Sequence, residues 1–354
     1  MMNALNSDDT HIMEHIFLVS QSKEDIRVAK GLKMEDVRRL LDVVEFVQKL
    51  DTLPEECPRL QDLYQTLDEV LNPLPPSLPL VDGMTVGSKT PFKTSGSSDI
   101  FQGVRNGKVV ALKRMRALRD GPCNVLPRVH REALTWVKLH HQYILPLIGI
   151  YREPSSLTLY MVSPWVEGGT TVEHLTDLKS TGTVDVLHVN RLLFQIAQGI
   201  QYLHSQPEKI VHGDLRGRNV LVAKDGSARI IDFGYSRSSV ASIHLSRGGG
   251  SIRWMAPELV NDHPSVQTFA SDVYAFGCLC AELYTLKDPF SNIPHEYRVV
   301  RDILQGKRPE RPTENPLMTD GLWEFVNTCW LEKPAARPSA DILVSEMRVA
   351  AESH

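Results

Sequence analysis

Strands first and helices later predict an α+β fold, a small sheet-rich lobe followed by a larger helical one. Two observations lead there. The stretches Ile100-Phe101 and Lys108-Val109-Val110-Ala111-Leu112-Lys113 flank Asn106-Gly107, a dipeptide favoured in tight hairpin turns. Further on, Leu192, Leu193, Ile196, Ile200 and Leu203 recur at helical spacing up to about His204, and helical patterns dominate from there. The boundary between two such lobes makes a cleft.

Taken in order, the chain is polar and weakly periodic up to Lys33. Val37, Leu40, Leu41, Val44 and Val47 then fall on one helical face before Pro54, and Leu60, Leu63, Tyr64, Leu67, Val70 and Leu71 on another. The tract Asn72-Pro73-Leu74-Pro75-Pro76-Ser77-Leu78-Pro79 stops the second helix and reads as a stiff linker. The expected division is therefore a helical segment with its linker, residues 1–79, and a two-lobed domain, residues 80–350. Within that domain the sheet lobe covers about 80–163 and the helical lobe about 167–350. The two early helices read either as a hairpin packed on the two-lobed domain or as a site for a protein partner. Leu157 to Val162 forms a further strand candidate at the end of the first lobe.

Composition narrows the partners. A 42% apolar content suffices for a large core, and 23% charged residues with a formal net charge of -4 give no electrostatic case for nucleic acid or an anionic membrane. The five cysteines are odd in number and contain no C-x-x-C pair, which suggests neither a disulfide framework nor a zinc ribbon. Apolar runs such as Tyr143 to Tyr151 fall far short of the roughly 20 residues a bilayer span needs, and no charged-then-apolar leader opens the chain. A cytoplasmic or nuclear location is expected.

The chemistry concentrates in Val211-His212-Gly213-Asp214-Leu215-Arg216-Gly217-Arg218-Asn219-Val220-Leu221 and, shortly after, Ile230-Ile231-Asp232-Phe233-Gly234. Phosphoryl transfer needs hard oxygen ligands for Mg²⁺ and a carboxylate that orients and deprotonates the acceptor hydroxyl. Asp214, Asn219 and Asp232 supply groups of these kinds. Alone, Asp-Phe-Gly would read as a turn after a strand; the preceding segment gives it meaning.

At these residues the sequence resembles the protein-kinase family, and the resemblance runs from about Pro91 to Met347 with its motifs in order. Ala111-Leu112-Lys113 matches the strand whose lysine holds the α and β phosphates, and His130-Arg131-Glu132-Ala133-Leu134 the helix whose glutamate pairs with it. Met255-Ala256-Pro257-Glu258 resembles the end of the activation segment. Ser271-Asp272-Val273-Tyr274-Ala275-Phe276-Gly277 is similar to the buried helix under the catalytic loop. The resemblance implies that Arg337 pairs with Glu258 and that Asp272 caps catalytic-loop amides. It implies ATP and Mg²⁺ as cofactors, a protein substrate, and catalytic roles for Asp214, Arg216, Asn219 and Lys113. The implied nucleotide contacts are Gly96, Ile100, Ala111, Lys113, Glu132, Ser163, Pro164, Val166, Leu221 and Asp232, and the implied metal ligands are Asn219 and Asp232. Trp254-Met255-Ala256-Pro257-Glu258, His212-Gly213-Asp214 and Val162-Ser163-Pro164-Trp165 together resemble the tyrosine-kinase-like group, especially its large family in basidiomycete fungi.

Departures from the family pattern are local. Where kinases show G-x-G-x-x-G, this chain has Lys93-Thr94-Ser95-Gly96-Ser97-Ser98-Asp99-Ile100, with a glycine at none of the three positions. Gly96 is the residue there that offers backbone freedom, and weakened ATP binding is expected. Pro164 in the hinge lacks an N–H, so adenine recognition is expected through Val166. Gly213 stands where the family carries arginine before the catalytic aspartate. Arg216 keeps the charge of the lysine common in Ser/Thr kinases. Arg218 matches a position where tyrosine kinases carry arginine, whereas Gly250-Ser251 matches the Gly-Thr of Ser/Thr kinases, and a Ser/Thr acceptor is expected.

Two alternatives stand beside this reading, one of similar chemistry and one catalytically silent. An aminoglycoside-type small-molecule phosphotransferase would also carry His-Gly-Asp-Leu, but it lacks matches to Met255–Glu258 and to Arg337. A pseudokinase scaffold would suit the eroded roof, yet none of Lys113, Asp214, Asn219 or Asp232 is lost. The thirteen histidines include no H-E-x-x-H, and His212 is expected to pack under Phe233.

Overall fold

Asn106 and Gly107 adopt φ of 50° and 76°, the left-handed pair that a two-residue hairpin turn requires. They fold β3 (Ser98–Arg105) back onto β4 (Lys108–Met115) in a register running from Arg105↔Lys108 to Ser98↔Met115. This hairpin anchors a sheet of order β1-β3-β4-β6-β5, made with β1 (Met84–Val86), β5 (Gly149–Arg152) and β6 (Leu159–Pro164); β2 (Lys93–Thr94) also pairs with β3. The strand expected from Leu157 to Val162 starts at Leu159 and runs on to Pro164, which suits a strand's last residue because it has no N–H to give.

The computed structural model describes residues 74–75, 77–116, 125–153, 158–238, 252–261, 266–313 and 318–352. The two helices expected between Val37 and Val47 and between Leu60 and Leu71 lie outside them. The chain divides into two compact units, Met1–Leu80 with Tyr151–Tyr160, and Val81–Ile150 with Met161–His354. In the first, Leu78 N donates to Pro75 O at 2.9 Å, a turn within the proline tract. The rings of Tyr151 and Tyr160 stack with centroids 6.1 Å apart. The second unit holds the residues that carry the chemistry.

Helix α1 (Val125–Trp136) follows β4 and buries Val129, Glu132, Ala133 and Trp136. The helical lobe opens with α2 (Thr171–Ser180), started by a capping box in which Thr170 and Glu173 satisfy each other's backbone amides. Helix α3 (Val186–Ser205) is capped by Asp185 and buries the periodic residues Leu192, Leu193, Ile196, Ile200 and Leu203. Short strands pair as two antiparallel ribbons, β7 (Ile210–Val211) with β10 (Arg237–Ser238) and β8 (Val220–Val222) with β9 (Ala228–Ile230). After α4 (Pro257–Val260) comes α5 (Phe269–Thr285), buried from Ser271 through Tyr284 and mostly apolar, with Asp272 and Glu282 as its buried acids. Helix α7 (Asp320–Cys329) packs on α5, α8 (Ala340–Glu352) lies along α3, and α6 (Glu296–Leu304) packs against α4 and the turn Ile252–Trp254. No helix among the described residues is long and apolar enough to cross a membrane.

Candidate active site

Strand β7 delivers the chain into His212-Gly213-Asp214, and α5 holds that loop from below. Thr268 and Ser271 cap α5 reciprocally, which fixes its first turn and with it Asp272. The Asp272 carboxylate accepts from the amides of His212 at 2.8 Å and Gly213 at 2.9 Å, and His204 Nε2 lies 2.9 Å away. His212 Nδ1 accepts from Asp214 N at 3.2 Å, so its proton sits on Nε2, 3.1 Å from the Ile231 carbonyl. The ring meets Phe233 edge to face at 5.5 Å. This histidine is a packed strut between the two motifs.

Asp214 is 7% exposed. Asn219 Nδ2 donates to its carbonyl at 2.7 Å and to its Oδ2 at 2.8 Å, and Arg216 Nε lies 3.7 Å from the same Oδ2. Asn219 thereby gives its amide nitrogen to Asp214 and keeps Oδ1, a hard oxygen, for another partner.

Asp232 adopts φ +69°, a sparsely populated conformation for a non-glycine residue. Its Oδ1 lies 2.9 Å from Lys113 Nζ, which also meets Glu132 Oε1 at 2.6 Å. Burial works against the Lys113 ammonium, but Asp232 and Glu132 more than offset it and raise its pKa. Burial likewise works against the Asp232 carboxylate, yet Lys113 holds its pKa below the usual range. Ile100 lies directly opposite Lys113 across the hairpin, so the two side chains share a face with Ala111. Leu221, bridged to Thr170, is half-buried on the other lobe, in β8.

The roof differs from expectation. Gly96 is absent from the positive-φ residues, and a β-carbon there would meet nothing within 4 Å, so the turn draws on no glycine freedom. Ser95 builds it instead: its Oγ accepts from the amides of Ser97 at 3.4 Å and Ser98 at 3.1 Å, and its amide donates to Ser98 O at 2.8 Å. Arg116 Nη1 adds a bond to Ser95 O at 3.0 Å. The roof also reaches the far lobe, because Lys93 Nζ lies 2.5 Å from Glu173 Oε1. Phe92 meets Trp165 edge to face, centroids 4.9 Å apart, next to the buried Ser163 at the hinge. Pro164 ends β6, and Val166 follows half-buried.

Sequence reasoning passed over several residues that hold this site together. Glu282 Oε2 accepts from Gly217 N at 2.9 Å and from Trp254 Nε1 at 2.8 Å, tying the catalytic loop to the segment before α4. Burial pushes its pKa up to about 7, although those two donors pull the other way. The available signal was a lone acid in the apolar run from Val273 to Tyr284. Arg253 holds the carbonyls of Pro289, Phe290 and Ile293. Gln267 lies against Gly213 and donates to its carbonyl at 2.6 Å; nothing in its own neighbourhood of sequence announces that contact.

The family model described as protein tyrosine and serine/threonine kinase matches residues 95–347. Serine/threonine-protein kinase CTR1 of Arabidopsis thaliana is 30% identical over 220 residues, 62% of this chain and 26% of that protein. The probable serine/threonine-protein kinase drkC of Dictyostelium discoideum is 26% identical over 298 residues, 83% of this chain and 37% of that protein. Tyrosine-protein kinase SPK-1 of Girardia tigrina is 30% identical over 225 residues, 61% of this chain and 44% of its own length. The chain thus spans less than half the length of each of these relatives.

Proposed function

The chain belongs to the protein tyrosine and serine/threonine kinase family, and from that premise we propose that it transfers the γ-phosphoryl group of ATP to a serine or threonine hydroxyl of a protein substrate. The observation that carries this reading is the bonding of Lys113 to Asp232 and Glu132 and of Asn219 to Asp214, two groups whose segments are joined where Ile231 N donates to Asn219 O at 2.9 Å and His212 Nε2 meets Ile231 O at 3.1 Å.

In this reading Asp214 is the base. Held by Asn219 and with Arg216 alongside, its carboxylate accepts the proton of the acceptor hydroxyl as that oxygen attacks. Arg216 keeps a positive charge beside the transferred group. Lys113, fixed by Glu132, presents its ammonium to the α and β phosphates. The Asp232 carboxylate and Asn219 Oδ1 form an all-oxygen donor pair of the kind Mg²⁺ prefers, and they would hold it. When bound, Mg²⁺ supplies neutralisation of the phosphate charge.

Gly250-Ser251 and the serine/threonine-kinase relatives favour a Ser/Thr acceptor. Residues 1–79 are read as a segment apart from the chemistry, available to a protein partner. The test incubates the purified chain with labelled ATP, Mg²⁺ and a randomised peptide array offering serine, threonine or tyrosine. Label on serine or threonine peptides is the expected result; label on tyrosine alone would reverse the acceptor assignment, and none on any would favour a silent scaffold.

A further inference from the structure

The residue before Asp214 is a glycine at φ +80°, and the place its side chain would take is filled. A β-carbon built on Gly213 would lie 2.5 Å from Gln267 Oε1, 2.7 Å from Cδ and 2.8 Å from Nε2. Gln267 is only 3% exposed, and its Nε2 donates to the Gly213 carbonyl at 2.6 Å. Its Oε1 is buried without a hydrogen-bond partner among the described residues. An unmatched buried acceptor is a cost, so this carboxamide is a poor filler unless its other end matters.

The location explains what that end does. Gln267 immediately precedes Thr268, the N-cap of α5, whose first turn carries Asp272. Asp272 takes the amide of Gly213 at 2.9 Å while Gln267 takes its carbonyl at 2.6 Å. One helix start thus grips both polar groups of the residue that leads into Asp214.

We propose that Gln267 is a positioning residue that clamps the Gly213 carbonyl and fills the missing side chain's place, holding the catalytic loop in working geometry. The proposal rests on the phosphotransfer reading, but hydrogen exchange tests its structural half independently of activity.

The experiment uses the full chain after phosphatase treatment, as wild type, Gln267→Ala and Gln267→Met; methionine fills the volume but cannot donate. In both variants the amides of residues 212–214 should exchange about tenfold faster while those of α3 are unchanged. The kcat should fall about tenfold with KM for ATP within about twofold. Wild-type exchange rates in Gln267→Met would overturn the clamp, as would a kcat loss unaccompanied by faster exchange. A wild type with no phosphotransfer at all defeats the kinase reading instead, and the exchange rates still decide the clamp.

Discussion

Arg337 grips Glu258 with both terminal nitrogens, Nη1 at 2.7 Å from Oε1 and Nη2 at 2.8 Å from Oε2. The arginine side chain is fully buried and the glutamate 24% exposed. The same guanidinium holds the carbonyls of Leu331 and Ala270 and lies 5.2 Å from the Tyr274 ring centre, so it joins α4 to α5. Removing one member of a buried pair costs about 3–5 kcal/mol because the other is left uncompensated. Arg337→Met should therefore lower unfolding stability by about 3 kcal/mol. Glu258→Gln leaves the guanidinium its carbonyl partners and should cost less. Urea titrations of both variants check the order, and a larger loss in Glu258→Gln would contradict it.

Glu282 makes stability depend on pH. Its folded pKa is raised from 4.5 to about 7 by burial, so between those values the folded chain holds more protons than the unfolded one. Stability then falls as pH rises through that window. The shift is worth about 3 kcal/mol at most. Glu282→Gln removes the titration while keeping an oxygen for Gly217 N and Trp254 Nε1. The stability of this variant relative to wild type should climb from pH 5 to pH 8 by up to about 3 kcal/mol. A difference that stays flat over that range would mean that Glu282 does not titrate there.

What was legible in the sequence follows from the range of each interaction. Asn106-Gly107 and the periodic face of α3 are local, and the hairpin and the helix stand where their patterns put them. Lys113 and Glu132, 19 residues apart, meet at 2.6 Å, and only the ordered series of motifs singled them out from ordinary surface charges. Glu282, Gln267 and Lys93 were not legible, because each acts on a partner more than 50 residues away that no local pattern specifies. The roof was misjudged for a different reason. The glycine count was read as backbone freedom, whereas the Ser95 hydroxyl sets the turn by bonding to the amides that follow it.

The contact between Lys93 and Glu173 ties the roof strand to α2 across the cleft mouth. Lys93 pulls the Glu173 pKa down to about 2, against the opposing effect of burial and together with the Thr170 amide and hydroxyl. Both side chains are roughly half exposed, 46% and 53%, so the pair contributes only about 0–1 kcal/mol and is screened by salt. On the phosphotransfer reading proposed above, opening the roof breaks this contact, which therefore slows nucleotide release. Lys93→Ala should release a fluorescent nucleotide a few-fold faster in low salt, with the difference vanishing near 1 M salt. Equal release rates in low salt would show that the bridge does not resist opening.

Asp214 and Asp232 lie on the same cleft but are held differently, and their amide substitutions should separate chemistry from binding. Asp214 meets Asn219 and Arg216 and has no bond to Lys113 among the described contacts. In Asp214→Asn the carboxamide oxygen still accepts from Asn219, so the loop keeps its shape while the proton acceptor is gone. Nucleotide affinity should stay within about twofold and phosphotransfer fall by about 10²-fold or more. Asp232, by contrast, balances the Lys113 ammonium at 2.9 Å and, in the proposed reading, is the carboxylate that would hold Mg²⁺. Asp232→Asn removes a ligand charge and loosens Lys113, so nucleotide binding in the presence of Mg²⁺ should weaken about tenfold or more while Mg²⁺-free binding changes little. Titrating both variants with a fluorescent nucleotide, with and without Mg²⁺, and timing turnover separates the effects. Turnover in Asp214→Asn equal to wild type would remove Asp214 as the base, and a Mg²⁺-independent loss in Asp232→Asn would remove Asp232 as a metal ligand.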